Sequence, residues 1–235
     1  AENGANLVIT IDLKLQYELE NQLKAAYESA HPSERVCGLA MDPNTGAVLA
    51  MAVYPNYDCN SPYELAEEFF GQLTESGYTE DSDEYAQLKS TLIYKMWSNK
   101  VVNETYEPGS TFKVITASIG LEENVVTPTD QFTCTGHYRG EGFTQEIACH
   151  KLVGHGTVTF ARGLQQSCNP TMMQLVERIG RSTFYKYFKA FGYTGRTGID
   201  LPGEAYGMFH QEEAMHATEL AVYSFGQTFK CTPLQ

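Results

Sequence analysis

The sequence predicts a mixed α/β (α+β) fold in which an antiparallel sheet is flanked by helices. Three observations carry that reading. Two apolar runs, Arg35–Met41 and Ala47–Tyr54, are separated by Asp42-Pro43-Asn44-Thr45-Gly46, the pattern of a β-hairpin. Before them, Leu15, Leu19, Leu23 and Ala26 recur at helical spacing behind Asp12, a residue suited to an N-cap. After them, Pro108-Gly109 breaks the chain and the apolar run Val114–Ile119 follows, which reads as a buried helix.

The remaining elements follow in order. Leu7-Val8-Ile9-Thr10-Ile11 is a short β run ahead of the Asp12 helix. Residues 61–98 differ in character from what surrounds them. They carry Glu64, Glu67, Glu68, Glu75, Glu80, Asp81, Asp83 and Glu84, with helical spacing in Leu65, Phe69, Phe70 and Leu73 and again in Tyr85, Leu88, Leu92 and Met96. This stretch is expected to be an acidic helical insertion on one side of the site, its charged face solvated and without a binding role. Leu121–Asp130 is a turn-rich connection, and Cys134–His155 is dense in Cys, His and Gly. Thr157–Phe160 leads into a helix ending near Gln166, and Ser167-Cys168-Asn169-Pro170 links it to the next. That next helix carries Met172, Met173, Leu175, Val176 and Ile179, with its methionines as core filler. Phe184, Tyr187, Phe188 and Phe191 mark another helix, Thr197–Glu204 a loop, and Ala214–Phe225 a last helix.

Composition bounds the function. The 235 residues suit one domain or slightly more, and 42% hydrophobic content supplies a sizeable core. A net charge of −13, from 16 basic and 29 acidic residues without a Lys/Arg cluster, argues against a nucleic-acid partner. No apolar run approaches the roughly 20 residues of a membrane span. The abrupt start at Ala1-Glu2-Asn3-Gly4 and stop at Thr232-Pro233-Leu234-Gln235 reads as a piece of something longer.

Chemistry concentrates at Glu107-Pro108-Gly109-Ser110-Thr111-Phe112-Lys113. A helix starting near Ser110 puts Ser110 and Lys113 three residues apart on one face, close enough to touch. A deprotonated lysine can take the proton of a serine hydroxyl and make it a nucleophile. The helix N-terminus and burial both lower a lysine pKa, and free N–H groups of the first turn can hold an acyl oxyanion. Ser-x-x-Lys alone is a weak signal, but a second serine motif, Ser167-Cys168-Asn169, lies downstream.

Together the two motifs resemble the S-x-x-K and S-x-N signatures of penicillin-binding proteins and serine β-lactamases. Ile9-Thr10-Ile11-Asp12, the hairpin Asp42–Met51 and the Thr197–Glu204 loop are also similar to that family, so the resemblance covers most of the chain. The chain is thus identified as resembling a class B, monofunctional penicillin-binding protein, cut before the family's third motif, Lys-Thr-Gly. Lys230-Cys231-Thr232 does not supply that motif. The resemblance implies a transpeptidase/β-lactamase-like fold with an all-helical subdomain. It implies a D,D-transpeptidase in which Ser110 attacks a D-Ala-D-Ala stem peptide, with Lys113 as base. Ser167 would relay the proton and Asn169 would bind the peptide amide.

The resemblance also implies acylation by β-lactams, no cofactor for the chemistry, cell-wall partners such as a membrane glycosyltransferase, and work outside the cytoplasmic membrane behind an N-terminal anchor. A piece lacking the Lys-Thr-Gly strand is expected to be impaired in turnover. The rival readings are a β-lactamase or β-lactam sensor, and a non-catalytic cell-wall scaffold.

Cys134, Cys149, His155 and Cys168 stand in the order Cys-x14-Cys-x5-His-x12-Cys. Three thiolates and an imidazole suit tetrahedral structural zinc, and some elongation-type members of the family look similar in carrying a metal here. The alternative is a disulfide or redox pair, Cys149 with Cys168. Either would set the position of Ser167 and Asn169. Cys37 reads as core, and Cys59 and Cys231 have no assignment. His31, His137, His150, His210 and His216 read as surface or hydrogen-bonded histidines.

Overall fold

The computed structural model describes residues 4–235. The chain forms two compact units, the first running to Glu104 and including Leu234, the second residues 105–233 with Gln235.

In the first unit, Asp12 caps helix α1 (Leu13–Ala30), its Oδ1 accepting from the backbone N–H of Lys14 at 2.9 Å and Leu15 at 3.1 Å. Strands β1 (Val36–Met41) and β2 (Val48–Tyr54) form the expected antiparallel hairpin, Leu39 opposite Met51. Leu19 and Leu23 of α1 sit over Gly38 of β1, where a Cβ would meet Leu19 Cδ1 at 2.6 Å. The β run expected at Leu7–Ile11 is not a strand, and Leu7, Val8 and Ile9 are 85%, 93% and 62% exposed. The Thr10 hydroxyl donates to the Val48 carbonyl and the Asp12 N–H to the Leu49 carbonyl. Two such bonds tether a segment but do not register a ladder.

The expected insertion helices are α2 (Glu67–Glu75) and α3 (Asp83–Trp97), followed by the single turn α4 (Lys100–Asn103). Phe69, Leu73, Leu92 and Met96 bury a small core of their own, while Phe70 is half exposed. Ser82 caps α3. Arg35, 6% exposed, is neutralised by Glu104 at 2.8 Å and donates to the Ser98 carbonyl.

The second unit opens with a 3₁₀ turn, Gly109–Phe112, that runs into α5 (Lys113–Glu122). Two small antiparallel sheets follow: β3 (Gln131–Cys134) with β6 (Gly156–Thr159), and β4 (His137–Tyr138) with β5 (Ile147–Ala148). Then come α6 (Phe160–Gln165), α7 (Asn169–Ile179), α8 (Arg181–Ala190) and α9 (Ala217–Tyr223). Met172, Met173, Leu175, Val176 and Ile179 of α7 are all buried, as their spacing predicts. Phe112 joins Phe188, Tyr193, Tyr223 and Phe229 in an aromatic cluster of edge, tilted and stacked pairs, with Phe112 and Phe229 centroids 4.9 Å apart. Phe112 thereby anchors the turn between Ser110 and Lys113. Among the described residues no helix is long and apolar enough to cross a membrane.

Candidate active site

Phe112 fixes which way its neighbours lie. Ser110 stays on the surface, while Lys113, 1% exposed, is enclosed. Ser110 lines a cavity of about 310 Å³ together with Gly109, His150, Ser167, Asn169, Phe225 and Gln227.

Lys113 Nζ donates to the Ser167 carbonyl at 2.6 Å, to Ser167 Oγ at 2.9 Å and to Asn169 Oδ1 at 2.7 Å. An ammonium has three protons, so these acceptors account for all of them. The Lys113 backbone N–H donates to the Ser110 carbonyl, but no side-chain hydrogen bond joins the two residues. Among the described residues the Ser110 hydroxyl has no hydrogen-bond partner, and Lys113 is turned towards the second motif. Burial drives the Lys113 pKa down to about 8, with Cys149 and Cys168 pulling upward.

Ser167 reaches Lys113 through its backbone conformation. Its N–H donates to the Leu164 carbonyl and the Cys168 N–H to the Gly163 carbonyl, the paired bonds of a Schellman cap closing α6. The left-handed residue of such a cap is usually glycine, yet here it is Ser167, at φ +52°. A side chain in that region costs about 1–2 kcal/mol. In exchange, one residue aims both its carbonyl and its hydroxyl at a single amine. Asn169 does not cap α7. Cys168 holds the cap position, Asn169 is the first residue of α7, and its side chain serves Lys113. Its Nδ2 lies 3.5 Å from the Ala148 carbonyl on β5.

The four predicted metal ligands converge as well. The ligand atoms of Cys134, Cys149, His155 and Cys168 all lie within 4.8 Å of one another, and the three cysteines are buried. Nδ1 of His155 is 3.5 Å from Cys134 Sγ and 3.7 Å from Cys149 Sγ. A tetrahedral zinc with ordinary bond lengths separates its donors by roughly 3.5–3.8 Å, so this donor set fits the metal. Burial would push the Cys134 thiol up, but the N–H groups of Gly136 and His155 and the neighbouring thiols of Cys168 and Cys149 bring it below its ordinary value. Burial lifts Cys168 to about 12. Burial, then the charges of His150, Lys151 and Lys113, lower the His155 pKa, which favours the neutral imidazole that ligation needs. Gly136, at φ +97°, is required, since a Cβ would meet the Leu152 carbonyl oxygen at 1.8 Å. All six cysteines are free thiols.

Two cavity residues have no signal in the sequence. His150 reads as a surface histidine, and Gln227 has no assignment. Only the return of the chain after α9 brings Gln227 beside Ser110.

Comparison with known proteins places the whole sequence. The profile of the penicillin binding protein transpeptidase domain matches residues 36–235. The chain is 34% identical over 235 residues to Stage V sporulation protein D of Bacillus subtilis, covering 100% of this chain and 32% of that protein. It is 26% identical over 241 residues to the peptidoglycan D,D-transpeptidase MrdA of Acinetobacter baumannii, covering 99% of this chain and 32% of that protein. The fold resembles that of penicillin binding protein 3 of Mycobacterium tuberculosis, solved complexed with aztreonam, at a TM-score of 0.76 and 24% identity, over 96% of this chain and 44% of that one. The chain spans about a third of the length of the curated relatives it matches. Two serine motifs meeting on one buried lysine, within a match that takes in most of the sequence, make this chain a member of the penicillin-binding protein transpeptidase family.

Proposed function

We propose that the chain carries the acyl-transfer centre of a peptidoglycan D,D-transpeptidase, with Ser110 as nucleophile and Lys113 as its base. One observation carries the reading: a lysine enclosed and lowered to about 8 is held by Ser167 and Asn169 in the cavity that Ser110 lines. Near neutral pH about one-tenth of such lysines are uncharged. The neutral amine keeps two protons for the Ser167 carbonyl and Asn169 Oδ1, which frees its lone pair. That lone pair takes the Ser110 proton as Oγ attacks the carbonyl carbon of the penultimate D-Ala. The C–N bond breaks, the terminal D-Ala leaves with a proton relayed through Ser167 Oγ, and an ester on Ser110 remains. An amine from a neighbouring stem peptide then attacks the ester, forms the cross-link and returns the proton to the site.

A β-lactam, with its strained amide, acylates the same oxygen. The protein works at the outer face of the cytoplasmic membrane beside cell-wall partners such as a membrane glycosyltransferase. Cys134, Cys149, His155 and Cys168 would hold a structural zinc ion, and its ligation would fix Cys168 between Ser167 and Asn169. The convergence of all four donor atoms within 4.8 Å, His155 included, supports the metal over a Cys149–Cys168 disulfide.

Intact-mass and peptide mass spectrometry after penicillin treatment tests the reading. The expected result is an adduct on Ser110 that persists for hours and is absent from Ser110→Ala. An adduct lost within seconds identifies a β-lactamase instead, and no adduct refutes acyl transfer.

A further inference from the structure

Asn169 was expected to meet the amide of the bound peptide. Its oxygen accepts from Lys113 and its nitrogen faces the Ala148 carbonyl, which leaves one lone pair and one donor for a ligand. A second side-chain amide lines the same cavity. Gln227 is exposed, and among the described residues its side chain has no hydrogen-bond partner.

The backbone that carries Gln227 is held to the nucleophile's own elements. Helix α9 ends in a Schellman cap: the Gly226 N–H donates to the Tyr223 carbonyl and the Gln227 N–H to the Val222 carbonyl. Thr116 Oγ1 on α5 donates to the Ser224 carbonyl at 2.8 Å. The Gly109 N–H donates to the Gly226 carbonyl at 2.8 Å. The Thr228 N–H donates to Glu107 Oε1 at 3.1 Å. A Cβ on Gly226, at φ +82°, would meet the Gly109 oxygen at 2.1 Å. Thr228, β-branched, is held at φ +70°, where such residues are rarely found. Strain concentrated around one free polar group is typical of sites that bind.

We propose that Gln227 is a substrate-contacting residue whose side-chain amide pairs with a backbone amide of the acyl-donor peptide and sets the scissile carbonyl against Ser110. The inference rests on the transpeptidase reading and names the wall that holds its substrate. An amide group matches a peptide bond because it presents a donor and an acceptor in one plane. His150 and Phe225 complete the cavity around it.

The experiment compares two reactions of the full-length protein. One is turnover of a peptide donor ending in D-Ala-D-Ala, and the other is labelling of Ser110 by a β-lactam without an amide side chain. Gln227→Ala is expected to lower kcat/KM for the peptide by about tenfold to a hundredfold, mainly through KM, and to change β-lactam labelling by less than about twofold. A purely structural role would slow both reactions together. Equal losses, or no loss with the peptide, overturn the proposal. If the alanine variant fails to fold, Gln227→Glu, which keeps the shape and loses the donor, must show the same selective loss, and wild-type kinetics in that variant overturn the proposal too. If the unaltered protein does not label at Ser110, the transpeptidase reading fails and takes this inference with it.

Discussion

The pH dependence of Ser110 acylation is the most direct probe of the site, because one group, Lys113, should govern it. With a pKa of about 8, the uncharged fraction is about 1% at pH 6, 9% at pH 7 and 50% at pH 8. If only the uncharged amine accepts the Ser110 proton, the second-order rate constant for penicillin acylation rises about fiftyfold from pH 6 to pH 8. Above about pH 9 it changes by less than twofold. The assay is a time course of a fluorescent penicillin on the purified protein at constant ionic strength, scored by labelled fraction. A flat profile below pH 8 would exclude Lys113 as the base. A midpoint near the ordinary lysine value of 10.5 would show that burial does not bring the amine to readiness.

The same shift acts on folding. Below about pH 8 the amine is protonated in both folded and unfolded chains, and the folded state bears the full cost of enclosing a charge, on the order of 3 kcal/mol. From pH 8 to about 10.5 the unfolded chain binds more protons, so the Lys113 contribution makes stability rise with pH in that window and level off above it.

Three further outcomes follow from the geometry. Ser167→Gly relieves a left-handed serine of about 1 kcal/mol of strain, so its midpoint of thermal unfolding should stay within a few degrees of the parent while penicillin labelling falls at least about tenfold. Unchanged labelling would remove Ser167 from the proton path. Gly226→Ala drives a methyl into the Gly109 carbonyl and should cost about 2 kcal/mol or more in urea unfolding, with labelling slowed; a loss below about 0.5 kcal/mol would contradict the close approach. Protein purified without chelator should carry about one zinc per chain, and stripping it should lower the unfolding midpoint by about 5 °C or more and slow labelling; no zinc together with oxidised Cys149 and Cys168 would favour the disulfide.

How much of this was legible in the sequence depends on whether the cause is local. The hairpin, the Asp12 cap and the apolar face of α7 follow from neighbours within a few residues, and the structure has them where their patterns lie. Leu7–Ile11 has strand composition, but a strand needs a partner edge, and composition cannot say whether one is in reach. The setting of the Lys113 amine looked local and is not. Helical spacing brings Ser110 and Lys113 near each other, but the lysine's direction is set by acceptors 54 and 56 positions along the chain. The thiols and imidazole that the structure gathers within 4.8 Å were legible as a group because residue type, whatever the spacing, marks them as donors.

The cavity's two serine-bearing and amide-bearing walls share one device that the sequence half discloses. Helix α6 ends in a left-handed residue that presents Ser167, and α9 ends in one that presents Gln227 on the next position. At α9 the residue is Gly226, the usual choice, and the helix end could be read from it. At α6 it is Ser167, which hides the cap behind a side chain that accepts from Lys113. The local rule is broken where Ser167 turns its hydroxyl to Lys113, and kept at Gly226, where the chain only turns.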